Sequence, residues 1–330
     1  MKFMKYPVMI GWSLTNRCNL QCLYCSQNSG EPDDDELSLE EIKKVIDQLS
    51  INKISVIGFT GGEPFLREDL PDILRYVNSK NIRCQITTNG LLIAEGYPVE
   101  YLSRFIKVRI SLDSNNRDTH DYLRNRQGCY DLVLKAIDRL KKMGMQIEIV
   151  TTVSTQNVDE LDEIIEFIKT LNIDQWSVSV FCPTGRGHEI STWLLSKEQY
   201  KEVSEKLWKV KKEVNFLVKT DIPQLVLLDK NRAESNEFIY CAAATELLVI
   251  FPNGDLAPCF SMPLTEGNVR TDTIYDIWNN GRLFKSLREK NLIHGECGKC
   301  EFLNVCGGCR AMAYAKYDDY LMTDPLCWKV

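Results

Sequence analysis

The chain has 330 residues, 44% of them hydrophobic and 26% charged, which is enough for one large α/β domain with a smaller one beside it. Its 40 basic and 46 acidic residues give a formal net charge of −6 without a lysine-rich block, which argues against a nucleic-acid or anionic-membrane partner. No apolar stretch is long enough for a membrane span, and the first residues lack the features of a signal peptide. The sequence therefore predicts a cytoplasmic protein.

From residue 8 to 181 the chain alternates between strand-like and helix-like segments. The predicted strands are apolar on both faces, as in a parallel sheet covered by helices. They span 8–14, 53–60, 82–88, 105–112, 146–153 and 174–181. The helices between them are predicted at 37–49, 68–80, 129–143 and 158–171. Six such units fit an incomplete barrel or a doubly wound sheet, and the pattern alone does not choose between these folds.

In either fold, ligands bind at the carboxyl ends of the strands. Segments rich in polar residues, glycine or cysteine occupy those positions here. They are CNLQCLYC (18–25) after the first strand, GGEP (61–64) after the second, TNG (88–90), SLD (111–113), TTV (151–153) and PTGRG (183–187). We therefore expect one site, built from successive strand ends.

The pattern changes after residue 190. A polar helix is predicted at 197–212, and two short strands joined by an Asn253-Gly254 turn lie within 246–259. Two helical segments near 273–279 and 281–290 precede a cysteine-rich tail. We accordingly divide the chain into a core domain at 1–190, a helical linker at 191–235 and a second domain at 236–330.

The 13 cysteines are concentrated towards the two ends of the chain. In a cytoplasmic protein such grouping indicates metal ligation rather than disulfide bonds. Cys18, Cys22 and Cys25 have the spacing C-x3-C-x2-C, one ligand fewer than a closed tetrahedral site takes. A 4Fe–4S cluster held by three cysteines would leave one iron free for a small molecule. Taken alone, the motif is equally a chance grouping or half of a zinc site.

With Tyr24 before its last cysteine and a position after the first strand, this motif resembles that of the radical S-adenosylmethionine (SAM) enzymes. The resemblance implies an α/β fold whose core is a partial (β/α)6 TIM-like barrel. It also implies that SAM chelates the open iron through its amine and carboxylate. The reduced cluster then cleaves SAM to methionine and a 5′-deoxyadenosyl radical, which abstracts hydrogen from a substrate.

The resemblance further assigns residues that contact SAM. The GGEP turn would offer backbone groups to the methionine amine, residues at the end of the fourth strand would lie near the ribose, and Arg124 is a looser candidate for the carboxylate. The full set is Tyr24, Gly61, Gly62, Glu63, Pro64, Asn89, Ser111, Asp113 and Arg124. Singly, each segment is also an ordinary turn or strand end, but their order along the chain favours the family. No general acid or base is predicted, since the three histidines are isolated.

Seven cysteines follow residue 240, and their spacing resembles the SPASM extension of radical SAM enzymes that modify peptides and proteins. The first two flank a hairpin glycine, and four more form a C-x2-C-x5-C-x2-C group where the family usually has x3 before the last cysteine. The resemblance implies two auxiliary 4Fe–4S clusters, giving three clusters with the first. Auxiliary cluster I would be bound by Cys241, Cys259 and Cys309. Auxiliary cluster II would be bound by Cys297, Cys300, Cys306 and Cys327.

Seven cysteines cannot fill eight ligand positions. Auxiliary cluster I is therefore open, has a non-cysteine ligand, or recruits another residue. The C-x2-C pairs also fit two zinc sites, but the upstream motif favours iron–sulfur. Of the remaining cysteines, Cys84 and Cys129 are expected to be structural. Cys182 ends the sixth strand facing the predicted pocket; we expect it to be buried, and it is the spare cysteine worth testing.

These features predict a radical SAM/SPASM enzyme, and the resemblance implies a ribosomally made peptide or a protein side chain as substrate. The reaction would be an oxidation, cross-link, thioether bond, decarboxylation or formylglycine formation, with ferredoxin or flavodoxin as electron donor. Because the chain starts almost at the first strand, we expect any leader peptide to need a separate recognition protein. An alternative substrate is a small molecule or tetrapyrrole. A non-catalytic electron carrier or redox sensor is a further alternative, against which GGEP, Asn89 and Ser111 argue.

Overall fold

The computed structural model describes residues 4–102, 106–229 and 241–330. Its strands are β1 (Met9–Ser13), β2 (Val56–Thr60), β3 (Arg83–Thr88), β4 (Ile106–Ser111), β5 (Gln146–Val153), β6 (Gln175–Val180), β7 (Leu217–Thr220), β8 (Leu247–Ile250) and β9 (Leu256–Ala257). Across these described ranges the nine strands form one sheet in the order β7-β6-β5-β4-β3-β2-β1-β8-β9. All neighbours pair in parallel except β8 and β9.

Helices cover the sheet between its strands. They are α1 (Leu39–Ile51), α2 (Leu70–Ser79), α3 (Leu91–Ala94), α4 (Arg117–Arg124), α5 (Cys129–Lys142), α6 (Leu161–Thr170), α7 (Lys197–Glu213), α8 (Ile274–Asn280), α9 (Arg282–Arg288), α10 (Gly295–Gly298) and α11 (Arg310–Tyr317). Short 3-10 helices span Pro64–Leu66, Val158–Glu160, Gly185–Trp193, Pro223–Leu228 and Lys290–Leu292. Among the described residues, no helix combines the length and apolarity needed to cross a membrane.

The six predicted strands are confirmed and pair in parallel in sequence order, as an open sheet of the kind a partial barrel requires. Their inward side chains form the core: Trp12, Phe59, Ile86, Val108 and Trp176 are all completely buried. The central strands are apolar because helices exclude water from the sheet.

Two pairings extend the sheet beyond the prediction. β7 lies inside the predicted helical linker and pairs with β6, while β8 of the second predicted domain pairs with β1. β7 has four residues, LVKT, which are too few and too polar for periodicity to distinguish them from a loop. The hairpin at 247–257 was expected, but nothing in its pattern indicates which strand it joins. The predicted division at 190 and 235 stays a prediction, and one sheet runs across it.

Candidate functional site at the carboxyl edge of the sheet

A cavity of about 280 Å³ lies where the carboxyl ends of β1 to β7 meet. Nine of the residues that the sequence predicts for the first cluster and SAM line this cavity: Cys18, Cys22, Tyr24, Cys25, Gly61, Gly62, Asn89, Ser111 and Arg124. The structure thus brings together residues that are up to 106 positions apart (124 − 18), as expected for a site at the strand ends of a parallel sheet.

Three predicted residues lie behind the cavity wall. Glu63 and Asp113 are completely buried, and Pro64 is buried at the start of a 3-10 helix. None of the three forms part of the cavity lining.

Glu63 connects the turn after β2 to the end of β3. Its carboxylate accepts hydrogen bonds from the Thr88 hydroxyl at 2.8 Å, the Asn89 backbone N–H at 2.8 Å and the Phe65 backbone N–H at 3.2 Å. Burial raises the pKa of this carboxyl to about 7, although these donors favour the charged form. The acidic residue of GGEP therefore fixes the position of Asn89.

The two glycines of the GGEP turn are required by close backbone packing. A Cβ at Gly61 would lie 2.4 Å from the Thr15 carbonyl oxygen, and one at Gly62 would lie 2.2 Å from that of Arg17. Gly61 also has a φ of 145°, which an L-residue with a side chain rarely adopts. The Gly62 N–H donates to the Thr15 carbonyl at 2.7 Å, so the turn after β2 is joined directly to the loop that carries the cysteines.

Asp113 holds two cavity residues in place. Its Oδ2 lies 2.7 Å from Arg124 Nη2 and accepts a hydrogen bond from the Tyr24 hydroxyl at 2.5 Å, while its Oδ1 accepts from the Thr152 N–H at 3.0 Å. Arg124 also places Nη1 3.8 Å from Cys22 Sγ. The buried carboxylate therefore aligns an arginine with the cysteine loop.

Arg124 was the least specific of the sequence candidates because Arg126 lies two residues away. The structure separates them: the Arg124 side chain is 10% exposed, whereas that of Arg126 is 37% exposed and pairs with Glu95. The difference arises because Arg124 lies on the buried face of α4, at its last residue, whereas Arg126 follows the end of the helix; sequence reasoning did not identify this short polar helix.

The four cysteines predicted for auxiliary cluster II lie around one small cavity, which Cys297, Cys300, Cys306 and Cys327 line. Backbone N–H groups point at their sulfur atoms: Gly308 donates to Cys306 Sγ at 3.4 Å, and Asp324 donates to Cys297 Sγ at 3.4 Å. Arg310 Nη2 lies 3.9 Å from the same Cys297 sulfur. These donors favour thiolates, the form in which cysteine binds metal.

The three cysteines predicted for auxiliary cluster I are also close neighbours. Burial raises the pKa of the Cys259 thiol to about 12, with the charge of Cys241 contributing next, although the Ser261 and Met262 N–H groups donate to its sulfur. The pKa of Cys309 is raised by burial first and by charged neighbours that include Cys241, although Met312 donates to it. The charge of Cys241 thus acts on Cys309 as well as on Cys259, despite the shorter spacing before Cys309.

These surroundings fit iron–sulfur clusters. All 13 thiols are free of disulfide bonds, and N–H groups donate to the sulfur atoms of seven of the ten predicted ligands, namely Cys18, Cys241, Cys259, Cys297, Cys306, Cys309 and Cys327. Throughout the described part of the chain, no three His, Cys, Asp or Glu side chains converge on a single metal ion. A 4Fe–4S cluster binds each cysteine through a separate iron, so its ligands are spaced more widely than those of one ion.

Sequence reasoning missed two charged residues at the site. Asp221, just after β7, lines the cavity, and burial raises the pKa of its carboxyl to about 6 despite hydrogen bonds from Ser179 and the Val180 N–H. Arg186, in the PTGRG loop, donates to the carbonyls of Cys22 at 3.0 Å and Ser29 at 2.7 Å, which braces the cysteine loop. The position of PTGRG at a strand end was the available signal for Arg186; Asp221 had none, because β7 was not predicted.

The parallel sheet, the three-cysteine loop at its carboxyl edge and the cysteine-rich tail together define a class of iron–sulfur enzyme, and the comparisons agree. Residues 12–168 match the model of the radical SAM superfamily, and residues 241–301 match that of an iron–sulfur cluster-binding domain, SPASM. The chain belongs to the radical SAM superfamily and carries a SPASM domain.

Similar proteins include the AdoMet-dependent heme synthase of Methanosarcina barkeri, which is 30% identical over 97% of this chain and 96% of its own length. The mycofactocin maturase MftC of Mycolicibacterium smegmatis is also 30% identical, over 93% of this chain and 79% of its own. Among solved structures, Streptococcus suis SuiB bound to S-adenosylmethionine superimposes with a TM-score of 0.79 at 21% identity, covering 99% of this chain and 78% of SuiB. The SuiB likeness confirms the fold.

Proposed function

We propose that this protein is a radical SAM/SPASM maturase that modifies a side chain of a ribosomally made peptide or of a protein. The observation that carries the proposal is the charge of the space around Cys18, Cys22 and Cys25. A heme synthase and a peptide maturase are both 30% identical to this chain, so identity alone does not choose between these substrates, although the heme synthase matches over 96% of its own length and the maturase over 79%.

The charged lining is not suited to a substrate with several carboxylates. Arg124 is paired with Asp113, Arg186 is occupied by backbone carbonyls, and Asp221 adds a carboxylate. A tetrapyrrole of the haem type carries propionate groups, and buried carboxylates need cations or several hydrogen-bond donors. Among the described residues that line this cavity, both cations are already engaged.

A second cavity, of about 390 Å³, adjoins the first through Ser26 and Gln27. Its lining combines amide side chains such as Gln27 and Asn28 with apolar groups such as Phe260, and it has two carboxylates and no lysine or arginine in the part the structure describes. Amide groups and apolar side chains complement an extended peptide, whose backbone needs hydrogen-bond partners. We infer that this second cavity admits the peptide.

Relatives support this assignment. MftC is named as a maturase, AlbA of Bacillus subtilis is named for biosynthesis of the bacteriocin subtilosin, and SuiB has been solved with its precursor peptide SuiA. The alternative, a carboxylated tetrapyrrole, is favoured by one observation, the heme synthase relatives that match almost the whole chain.

In the proposed mechanism Cys18, Cys22 and Cys25 hold the catalytic 4Fe–4S cluster, and Asp113 keeps Arg124 and Tyr24 oriented towards bound SAM. The turn of Gly61 and Gly62 after β2 would offer backbone groups to the methionine amine, and Asn89 and Ser111 would provide polar groups at neighbouring strand ends. When bound, the cluster and SAM supply the one-electron cleavage that yields a 5′-deoxyadenosyl radical. Buried side chains around the cavity, including Leu20 and Phe181, exclude water from it.

In the same proposal the two auxiliary clusters, bound by the cysteines assigned above, carry the electron that the substrate loses. Ferredoxin or flavodoxin would be the external carrier, and a separate protein would recognise a leader peptide. A cytoplasmic location and the absence of nucleic-acid and membrane partners stay predictions from composition.

The test uses anaerobically reconstituted protein, which we expect to contain about twelve irons per chain. Dithionite-reduced protein should convert SAM to 5′-deoxyadenosine, and a short peptide encoded beside the gene should accelerate this conversion and lose mass. A carboxylated tetrapyrrole should leave the rate unchanged. Acceleration by the tetrapyrrole and by none of the peptides would replace the maturase with the alternative, and an absence of SAM cleavage would favour a carrier or sensor.

A further inference from the structure

Cys182 has no part in the cluster assignments made so far. It follows β6 by two residues and lines the catalytic cavity, as does Ser261, which lies two residues after Cys259. The sequence predicted a buried cysteine facing the pocket, and the structure finds it half-buried on the cavity wall. Its thiol therefore lies between the barrel site and the SPASM region.

The neighbours of Cys182 are the cysteines assigned to auxiliary cluster I. The pKa of the Cys309 thiol is raised by burial first and by the charge of Cys182 next, ahead of Asp324 and Cys241. The pKa of Cys182 is likewise raised by burial first and then by Cys259. Because Cys182 also shares its cavity wall with Ser261, two residues after Cys259, these interactions place Cys182 in the neighbourhood of the cysteines assigned to auxiliary cluster I.

The other two spare cysteines lie elsewhere. Cys84 is buried in β3, and its thiol donates to the Gln85 carbonyl oxygen at 3.6 Å. Cys129 begins α5, and its charged neighbours include Arg124 and Cys22 of the first site. In the part of the chain that the structure describes, Cys182 is the spare cysteine that joins the auxiliary group.

We propose that Cys182 is the fourth protein ligand of auxiliary cluster I, so that the barrel itself closes the cluster that seven C-terminal cysteines leave incomplete. The inference rests on the proposed assignment of Cys241, Cys259 and Cys309 to that cluster. Four cysteines are the usual ligand set of a 4Fe–4S cluster, and ligation releases the Cys182 proton. A cluster closed in this way has no iron free for substrate, so its role is electron transfer.

This ligand would differ from the other three in its surroundings. Backbone N–H groups donate to the sulfur atoms of Cys241, Cys259 and Cys309, whereas the charged group that acts most strongly on Cys182 after Cys259 is the Asp221 carboxylate. Hydrogen bonds to the sulfurs and nearby charge set the reduction potential of a cluster. Cys182 would therefore connect the potential of auxiliary cluster I to the cavity where the substrate binds.

Electron paramagnetic resonance of reconstituted, full-length protein tests the proposal. Saturating SAM occupies the open iron of the first cluster, so that mild ferricyanide oxidation reports on the auxiliary clusters. We expect little 3Fe–4S signal from the unmodified protein, a signal of about one spin per chain from Cys182→Ala because a three-cysteine cluster readily loses its fourth iron, and no new signal from the matched control Cys84→Ala. An equally strong signal from the unmodified protein, or none from Cys182→Ala, would overturn the proposal.

Thiol alkylation of the unmodified protein provides a second test that needs no variant to fold. Iodoacetamide should leave Cys182 unmodified in the holoenzyme and modify it once a chelator has removed the iron, as peptide mass spectrometry can show. If Cys182 is alkylated in holoenzyme while Cys259 and Cys309 stay protected, the proposal for Cys182 is overturned and the assignment of the auxiliary clusters stands. An iron content near four per chain would instead overturn the assignment of auxiliary clusters and this inference with it.

Discussion

Two buried arginines, one in each region of the molecule, contact cysteine sulfurs in different electrostatic settings. Arg124 is 8% exposed and lies 3.8 Å from Cys22 Sγ, and Arg310 is 4% exposed and lies 3.9 Å from Cys297 Sγ. Arg124 forms an ion pair with Asp113. Arg310 donates to the carbonyls of Tyr320 and Met322 and has no ion pair within the described ranges of the chain.

This difference indicates how each region depends on its metal. A buried charge is costly unless it is balanced, and in the barrel Asp113 provides that balance within the protein. In the SPASM region Arg310 forms no such pair with any described residue, and the thiolates of a bound cluster would supply the balance together with the buried Asp324 carboxylate nearby. The barrel site should therefore be largely formed without iron, whereas folding of the cysteine-rich tail at 295–330 should be coupled to cluster binding.

The largest expected effect follows from the loss of the first cluster. Replacing Cys18, Cys22 and Cys25 together by Ala should reduce SAM cleavage to background and remove about four of about twelve irons per chain. Measurement of 5′-deoxyadenosine and of iron checks both numbers. The control Cys84→Ala should keep its iron and its activity, and SAM cleavage by the triple variant would show that the catalytic cluster lies elsewhere.

Removal of iron from the intact protein tests the comparison directly. After treatment with a chelator, backbone hydrogen exchange should accelerate by at least tenfold in 295–330, where Arg310 loses its counter-charge. Exchange in β1 to β4 should stay within about twofold, because Asp113 still neutralises Arg124. Equal loss of protection in both regions would mean that the barrel site also depends on its cluster.

Asp113→Asn should remove the negative charge that neutralises Arg124 in the barrel. Removing one partner of a buried ion pair costs about 3–5 kcal/mol, so the apoprotein should unfold at a clearly lower urea concentration and bind SAM poorly when reconstituted. Asp131→Asn is the matched control, because Asp131 pairs with Arg117 at the surface, where both side chains are more than half exposed. The Asp131→Asn variant should lose less than about 1 kcal/mol of unfolding free energy. Equal losses for the two variants would contradict the view that the buried ion pair matters more than the surface pair.

Glu63 is a buried carboxyl whose described partners are hydrogen-bond donors rather than an arginine, and this makes stability depend on pH. Its pKa rises from 4.5 in the unfolded chain to about 7 in the folded one, so the folded state holds the proton more tightly and stability falls as pH rises between these values. We expect the free energy of unfolding of the Glu63→Gln apoprotein, relative to that of the unmodified protein, to increase by up to roughly 3 kcal/mol between pH 4.5 and 8. Urea unfolding at several pH values measures this difference. A difference between the two proteins that does not change with pH would show that burial does not disfavour the charge of Glu63.

The smallest effect is expected at the contact between the two regions on the surface. Arg270 pairs with Glu41 of α1 at 2.6 Å, and both side chains are about one-third exposed. Arg270→Ala should lower stability by about 1 kcal/mol or less and leave SAM cleavage unchanged. Lys209→Ala, which removes a more exposed pair with Glu213, should have no measurable effect. A larger loss for Arg270→Ala would show that this contact holds the two regions together.

The sequence was sufficient for the six parallel strands, because each is a short apolar run and most of them are followed by a segment with helical periodicity. It was also sufficient for the cavity residues from Cys18 to Ser111, since strand ends in a parallel sheet meet at one edge. The supporting roles of Glu63 and Asp113 were not predictable, because burial depends on packing from several elements. The positions of Asp221 and of the neighbours of Cys182 follow from the pairing of β7 with β6 and of β8 with β1. Local sequence periodicity does not reveal these pairings.

The position of β8 beside β1 has a consequence for folding. A six-stranded open sheet would end at β1 and β6, and an unpaired parallel strand offers its backbone groups to another chain. Here β8 covers β1, the two-residue β9 shortens the new edge, and β7 covers β6. These pairings involve backbone and apolar side chains rather than cysteine, so they can form before iron arrives. The segments after residue 213 therefore protect the newly folded barrel from edge-to-edge aggregation, independently of the electrons that the clusters later carry.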